Sequence, residues 1–143
     1  MNETVQIKTP WLASKDPEVP STLNYSTLSM CGRVEEMVRQ YPNYIAYEFM
    51  GKTTTYAEMW QKINACAKSL KAIGIREGDK VTICMPNCPQ ALHAFYGLNR
   101  IGAVSNMIHP LSAAGEVKFY LNFSKSKAIL TLDQFYGKIA PIM

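Results

Sequence analysis

Between Val81 and Thr131 the chain repeats one unit: a short apolar run, a turn marked by proline or glycine, and a segment of helix length. Val81 to Met85, Ala103 to Ile108 and Lys127 to Thr131 are the runs. Pro89 to Arg100 and about Ser112 to Phe123 separate them, and Asp133 is placed to cap a last helix from Gln134. Strand, helix, strand, helix, strand predicts right-handed crossovers and a parallel sheet, because a crossover helix carries the chain back to start the next strand in the same direction. Gly102, at the end of the first of these helices, is its expected stop.

Upstream of this rhythm the periodicity changes. Residues 1–26 carry Pro10, Pro17 and Pro20 and little pattern, and read as an extended arm; residues 27–143 read as one incomplete domain. Leu28, Cys31, Val34 and Val38 mark a helix face, with Thr27 as its expected cap and Tyr41-Pro42 as its stop, since a residue before proline is pushed out of helical geometry. Ile45 to Phe49 and Thr53 to Thr55 flank Met50-Gly51-Lys52 and predict a hairpin. Thr55-Tyr56-Ala57-Glu58 has the spacing of a capping box, and Met59, Ile63, Cys66, Leu70 and Ile73 follow as one stripe. Gly74 then supplies the left-handed residue that ends such a helix, with Ile75 for the accompanying apolar contact.

At 143 residues and 48% hydrophobic content the chain can bury one core. Its net charge of +4 comes from scattered lysines and arginines, so the counterion release that drives nucleic-acid binding has no clustered surface to act through. The first residues lack the apolar stretch of a signal peptide, and no later segment has the length of a membrane span. Cys31, Cys66, Cys84 and Cys88 sit in apolar patterns, as free thiols of a cytoplasmic chain do.

Three stretches invite a chemical reading. Met50-Gly51-Lys52-Thr53 ends like a phosphate-binding loop, but Ala46 stands where the first glycine belongs and threonines follow where a helix must start, so the hairpin reading prevails. Cys84 and Cys88 with His93 suggest a metal or a nucleophile. No second close pair completes a zinc set, and a thiol in a strand covered on both faces behaves as a small apolar group. Asn87 and His109 each follow a parallel strand and so lie on the edge where open sheets bind ligands; they are the two candidates for the rim of a crevice. No catalytic residue and no metal ligand is assigned.

Taken in order, Gly51 to Glu58, Gly74 to Val81, Met85-Pro86-Asn87 and Arg100 to Val104 resemble the amino-terminal part of the AMP-forming acyl-CoA synthetases, the adenylate-forming family. Pro110-Leu111, Glu116-Val117, Tyr120-Leu121 and Ser126-Lys127-Ala128 continue the pattern, which spans about residues 27–140. Pro10-Trp11-Leu12 and Pro17-Glu18-Val19-Pro20 are similar to the opening of long-chain fatty acyl-CoA ligases. His109 departs from the resemblance, since many relatives have asparagine before this proline.

The resemblance implies a fold class: α/β in three layers, a partly parallel sheet with helices on both faces, part of the large N-terminal domain of the adenylate-forming fold, with the hairpin near one edge and the arm packed against it. It also implies a reaction for a longer parent, in which ATP activates a fatty acid to an acyl-adenylate and CoA then displaces AMP. ATP, Mg²⁺ and CoA are the implied cofactors. The family's phosphate loop, its Tyr-Gly-x-Thr-Glu type motif, its ribose-binding aspartate and its carboxy-terminal domain do not occur in these residues, so the chain is expected to be an inactive amino-terminal fragment with no cofactor of its own and the rest of the parent as partner. Peripheral membrane contact is compatible with this reading. A free-standing flavodoxin-like nucleotide module and a noncatalytic interaction protein are the alternatives.

Overall fold

The computed structural model describes residues 8–143; the first seven residues of the expected arm lie outside them. The rest of the arm forms one 3-10 turn, Pro10–Ser14, and is otherwise irregular up to Ser29. Trp11 and Tyr25 remain 61% and 83% exposed, so the described part of the arm, residues 8–26, is not packed against the sheet as anticipated. Its three prolines remove backbone donors and fix φ, which prevents a regular element from presenting one apolar face.

Helix α1 (Met30–Gln40) starts two residues later than expected. Ser29, not Thr27, is the cap: its hydroxyl accepts from the Gly32 N–H at 3.1 Å, while Ser26 closes a turn onto the Leu28 N–H just before it. Strands β1 (Ile45–Phe49) and β2 (Lys52–Thr55) pair antiparallel through a two-residue turn in which both Met50 (φ 51°) and Gly51 (φ 77°) are left-handed. That is the turn whose twist matches paired strands. The hairpin is a sheet of its own and does not edge the parallel sheet.

Helix α2 (Tyr56–Ala72) begins with the anticipated capping box, the Thr55 hydroxyl accepting from the Glu58 N–H and the Glu58 carboxylate accepting from the Thr55 N–H. It buries Met59, Ile63, Ala67 and Leu70. Cys66 is only half-buried and Ile73 is 68% exposed, because the chain leaves the helix at Ile73 and turns outward through Gly74 at φ 88°. The Ile75 N–H returns to the Leu70 carbonyl and the Gly74 N–H to the Lys71 carbonyl, both at 3.0 Å, which satisfies two orphan carbonyls and drops Ile75 into the core.

The remaining elements are β3 (Lys80–Cys84), α3 (Pro89–Arg100), β4 (Val104–Met107), α4 (Ala114–Ser124), β5 (Ala128–Thr131) and α5 (Asp133–Ile139). The three strands are parallel in the order β4-β3-β5, with Thr82 level with Asn106 on one side and Ile129 on the other. The strands shift by a residue at one or both ends, and two helix starts differ from the sequence reading. Helix α4 starts at Ala114, where the Glu116 carboxylate reaches back to the Ala113 N–H at 2.9 Å. Asp133 is the first helical residue of α5, not its cap, and accepts from the Gln134 N–H.

The central strand decides the layering. Val81 and Ile83 point into one core with Ala67, Leu70, Ala94 and Leu98 of α2 and α3. Cys84 points the other way, into a second core with Val117 of α4 and Ile139 of α5. Helices on both faces of a parallel sheet follow from this alternation. A third cluster, Cys31, Met59 and Ile63 with the partly buried Tyr47, Tyr56 and Tyr96, fastens α1 and the hairpin to α2 and α3. Tyr44 and Tyr120, by contrast, are exposed.

Candidate functional site

Because β3 lies between its two partners, the chain leaves it toward α3 on one face and leaves the neighbouring β5 toward α5 on the other. Loops that part in this way at the carboxyl ends of adjacent strands open the crevice where α/β sheets bind ligands. Here the edge is built from Met85-Pro86-Asn87 after β3, His109-Pro110-Leu111 after β4, and Leu132 after β5.

On the α3 side of this edge lies a cavity of about 350 Å³ between the hairpin and the start of α3. Tyr47 and Phe49 of β1, Cys88, Leu92 and Phe95 around α3, and Met107 of β4 give it a mainly apolar wall, and Asn87 stands on its rim. Cys88 is the residue before α3, in the extended conformation of a helix cap, and Pro89 fills the first helical position, where no amide donor is lost. Its thiol makes no cap hydrogen bond and packs against the main core.

His109 does not meet Asn87 in that cavity. It lies on the other loop, where its Nδ1 accepts from the Leu111 N–H at 3.2 Å. The loop is held from behind: Lys138 of α5 donates to the carbonyls of Pro110 and Ser112. Under it, Cys84 is fully buried, and desolvation pushes its thiol up despite the nearby Lys138 ammonium. A buried thiol with a raised pKa is a poor nucleophile. Among the described residues no three His, Cys, Asp or Glu side chains come together to hold a metal.

Three groups escaped the sequence reading. His93, counted there with the cysteines, instead bonds the Tyr47 hydroxyl through Nε2 at 3.0 Å and so ties α3 to the hairpin. Burial holds its pKa below the ordinary histidine value, and the Lys62 ammonium adds to that. Thr82, fully buried in the central strand, receives a hydrogen bond from the Asn106 amide at 2.9 Å and lies 2.7 Å from the Ser126 hydroxyl. At the opposite end of the sheet Asp79 accepts from Lys127 at 2.6 Å and from the Arg76 N–H at 2.8 Å, and these bonds hold its carboxyl below the usual range. Each pairing joins residues distant in sequence or fills a loop, so no local period announces it.

Residues 34–141 match the family described as AMP-binding enzyme. The chain belongs to this family. It is 27% identical over 134 residues to a long-chain-fatty-acid–CoA ligase of Bacillus subtilis, covering 94% of this chain and 24% of that protein. Over 76 residues it is 43% identical to the long-chain-fatty-acid–CoA ligase FadD13 of Mycobacterium tuberculosis, covering 53% of this chain and 15% of the relative. A solved fatty acyl CoA synthetase of Mycobacterium tuberculosis superposes with a TM-score of 0.75 at 32% identity, over 79% of this chain and 23% of the other. The chain thus spans about a quarter of the length of the relatives it matches along most of its own. Its parallel sheet and two-sided helices are those of the N-terminal domain of adenylate-forming enzymes, as an anthranilate CoA ligase at 19% identity and TM-score 0.76 also shows for the fold. The match reaches from α1 through α5, so the resemblance read from the glycine and proline motifs is correct.

Proposed function

We propose that this chain is the amino-terminal part of a cytoplasmic fatty acid–CoA ligase and serves there as scaffold and crevice rim, without catalysing on its own. The supporting observation is the likeness to a long-chain-fatty-acid–CoA ligase along 94% of the chain. In the parent, a carboxylate oxygen attacks the α-phosphorus of ATP; the bond to pyrophosphate breaks and an acyl-adenylate forms. The CoA sulfur then attacks the acyl carbon and AMP leaves.

Such a reaction needs donors around the phosphates and a held Mg²⁺. The residues here do not meet that need, because Lys52-Thr53 belongs to a hairpin strand and Glu48 is the sole carboxylate on the apolar cavity. ATP, Mg²⁺ and CoA therefore fall to other parts of the parent. The contribution of this chain is the loop after Met85, fixed by Pro86 and the start of α3, and the loop after Ile108, pinned by Lys138.

ATP–pyrophosphate exchange tests the reading. The longer gene product is expected to exchange with fatty acids, with a preference among chain lengths, and the 143-residue chain alone to give none. Exchange by the isolated chain, or none by the longer product with any fatty acid, would overturn it. Tight ATP or flavin binding by the isolated chain would instead favour a free-standing nucleotide module, which the same parallel sheet permits. Cys88→Ser in the longer protein is expected to keep most activity.

A further inference from the structure

The loop between β4 and α4 is tied down more completely than a surface connection requires. From Pro110 to Ala113 every backbone donor has a partner. The Leu111 N–H donates to Nδ1 of His109 and the Ser112 N–H to the His109 carbonyl, both at 3.2 Å, and the Ala113 N–H donates to the Glu116 carboxylate at 2.9 Å. Pro110 has no N–H to satisfy. Two carbonyls of the same stretch, those of Pro110 and Ser112, accept from the single ammonium of Lys138 on α5. Lys138 is half-buried, and among the described residues no carboxylate lies within ion-pairing distance of it. Its charge is directed at these two carbonyls, with the Phe135 ring 5.5 Å away. A charged donor makes the stronger class of hydrogen bond.

What this clamp holds in place is exposed. Pro110 is buried, whereas His109 before it is exposed and Leu111 after it is 75% exposed. Surface loops are ordinarily the mobile part of a fold, but here both side chains beside Pro110 keep fixed places at the carboxyl edge of the sheet, where a crevice ligand is met. Because Nδ1 of His109 accepts from Leu111, the neutral ring carries its proton on Nε2, which leaves one donor for a ligand. We propose that Lys138 is a positioning residue of the ligase: by holding the Pro110 and Ser112 carbonyls it fixes where His109 and Leu111 stand against the bound substrate. The inference rests on the fatty acid–CoA ligase reading and adds to it the group that sets one side of the crevice. Lys138 acts through the loop and not on the reacting atoms.

ATP–pyrophosphate exchange and amide hydrogen exchange, both on the longer gene product, test it. Lys138→Met keeps the side-chain length but loses the charge and the donors, and Lys138→Arg keeps both. Gly102→Ala, which strains the backbone at the opposite end of the sheet, controls for loss of stability alone. All are compared at a temperature where each protein is fully folded. Lys138→Met is expected to lower kcat about tenfold to a hundredfold, the size of effect that a small misplacement of substrate brings, and to speed amide exchange at Leu111 and Ser112. Lys138→Arg should recover most of kcat, and Gly102→Ala should leave it unchanged. Should Lys138→Met not fold, His109→Ala decides: it alters an exposed side chain and is expected to lower kcat about tenfold. A kcat within about twofold of the unaltered protein in the deciding variant, unchanged amide exchange in a folded Lys138→Met, or an equal fall in Gly102→Ala overturns the proposal and leaves the ligase reading standing. No pyrophosphate exchange by the unaltered longer product with any fatty acid overturns both.

Discussion

The parallel sheet and the hairpin are both β-structure, yet they are held by different forces. Strand β3 is covered on both faces, and Val81, Thr82, Ile83 and Cys84 are each fully buried. The hairpin has one face against α2 and α3, and Ile45, Phe49 and Met50 stay exposed. Burial from two sides makes the sheet insensitive to any single polar contact, whereas the hairpin depends on its turn, the Tyr47–His93 bond and a few half-buried rings.

Damage to the sheet core should be largest. Leu98 is fully buried beside Val81 and Ile83, and Leu98→Ala should cost about 2–5 kcal/mol, from lost transfer energy plus the cavity left behind. Urea unfolding monitored by circular dichroism measures it, and a loss below about 1 kcal/mol would place the main core elsewhere.

Next comes the turn that sends α3 into β4. Gly102 has φ 75°, and a Cβ there would lie 2.8 Å from the Cγ of Glu77. Gly102→Ala should cost about 1–2 kcal/mol from the left-handed backbone, plus whatever movement of Glu77 adds. Gly102→Ala combined with Glu77→Ala separates the two parts in thermal unfolding.

The hairpin should instead respond to pH. The folded His93 has a pKa below its unfolded value near 6.5, so the unfolded chain takes up the proton first. The contribution of neutral His93 is therefore full above about 6.5 and declines as pH falls through that value toward the folded pKa. A loss of up to about 1 kcal/mol is expected, the net worth of a half-buried hydrogen bond. Hydrogen exchange should show it in β1 and β2 and not in β3, and His93→Gln should abolish the pH dependence. Equal loss of protection in both sheets would erase the distinction between them.

The smallest effect is a gain. Met50 is a left-handed residue with a side chain, 90% exposed. Met50→Asn places there a residue that tolerates this conformation and should stabilise the hairpin by about 0.5–1 kcal/mol. Its unfolding midpoint in a hairpin-specific probe should rise while the sheet signal is unchanged.

Some features were legible because they are local. A capping box needs only Thr55 and Glu58 three residues apart, and Gly74 and Gly102 end their helices through bonds that span five residues. The shift of the first cap from Thr27 to Ser29 shows the limit of this: several hydroxyls lie close together, and the choice falls on the one whose oxygen reaches a free helix amide. The crevice candidates were legible as positions after strands but not as a site, since Asn87 rims the cavity and His109 sits on a separate loop, outside its lining.

The order of apolar runs and helices, the glycine-ended stops and the family follow from the chain read residue by residue, because propensity, capping and turn chemistry act over a few positions. The strand order β4-β3-β5, the polar trio of Thr82, Asn106 and Ser126, and the separation of the hairpin from the sheet arise only in three dimensions. Gly97 is the plainest case. In the helix pattern it is merely a weak residue, but α2 crosses so near that a Cβ would lie 3.2 Å from the sulfur of Cys66 and 3.3 Å from the nitrogen of Ala67. The approach of two helices far apart in sequence decides that requirement, and no local pattern carries it.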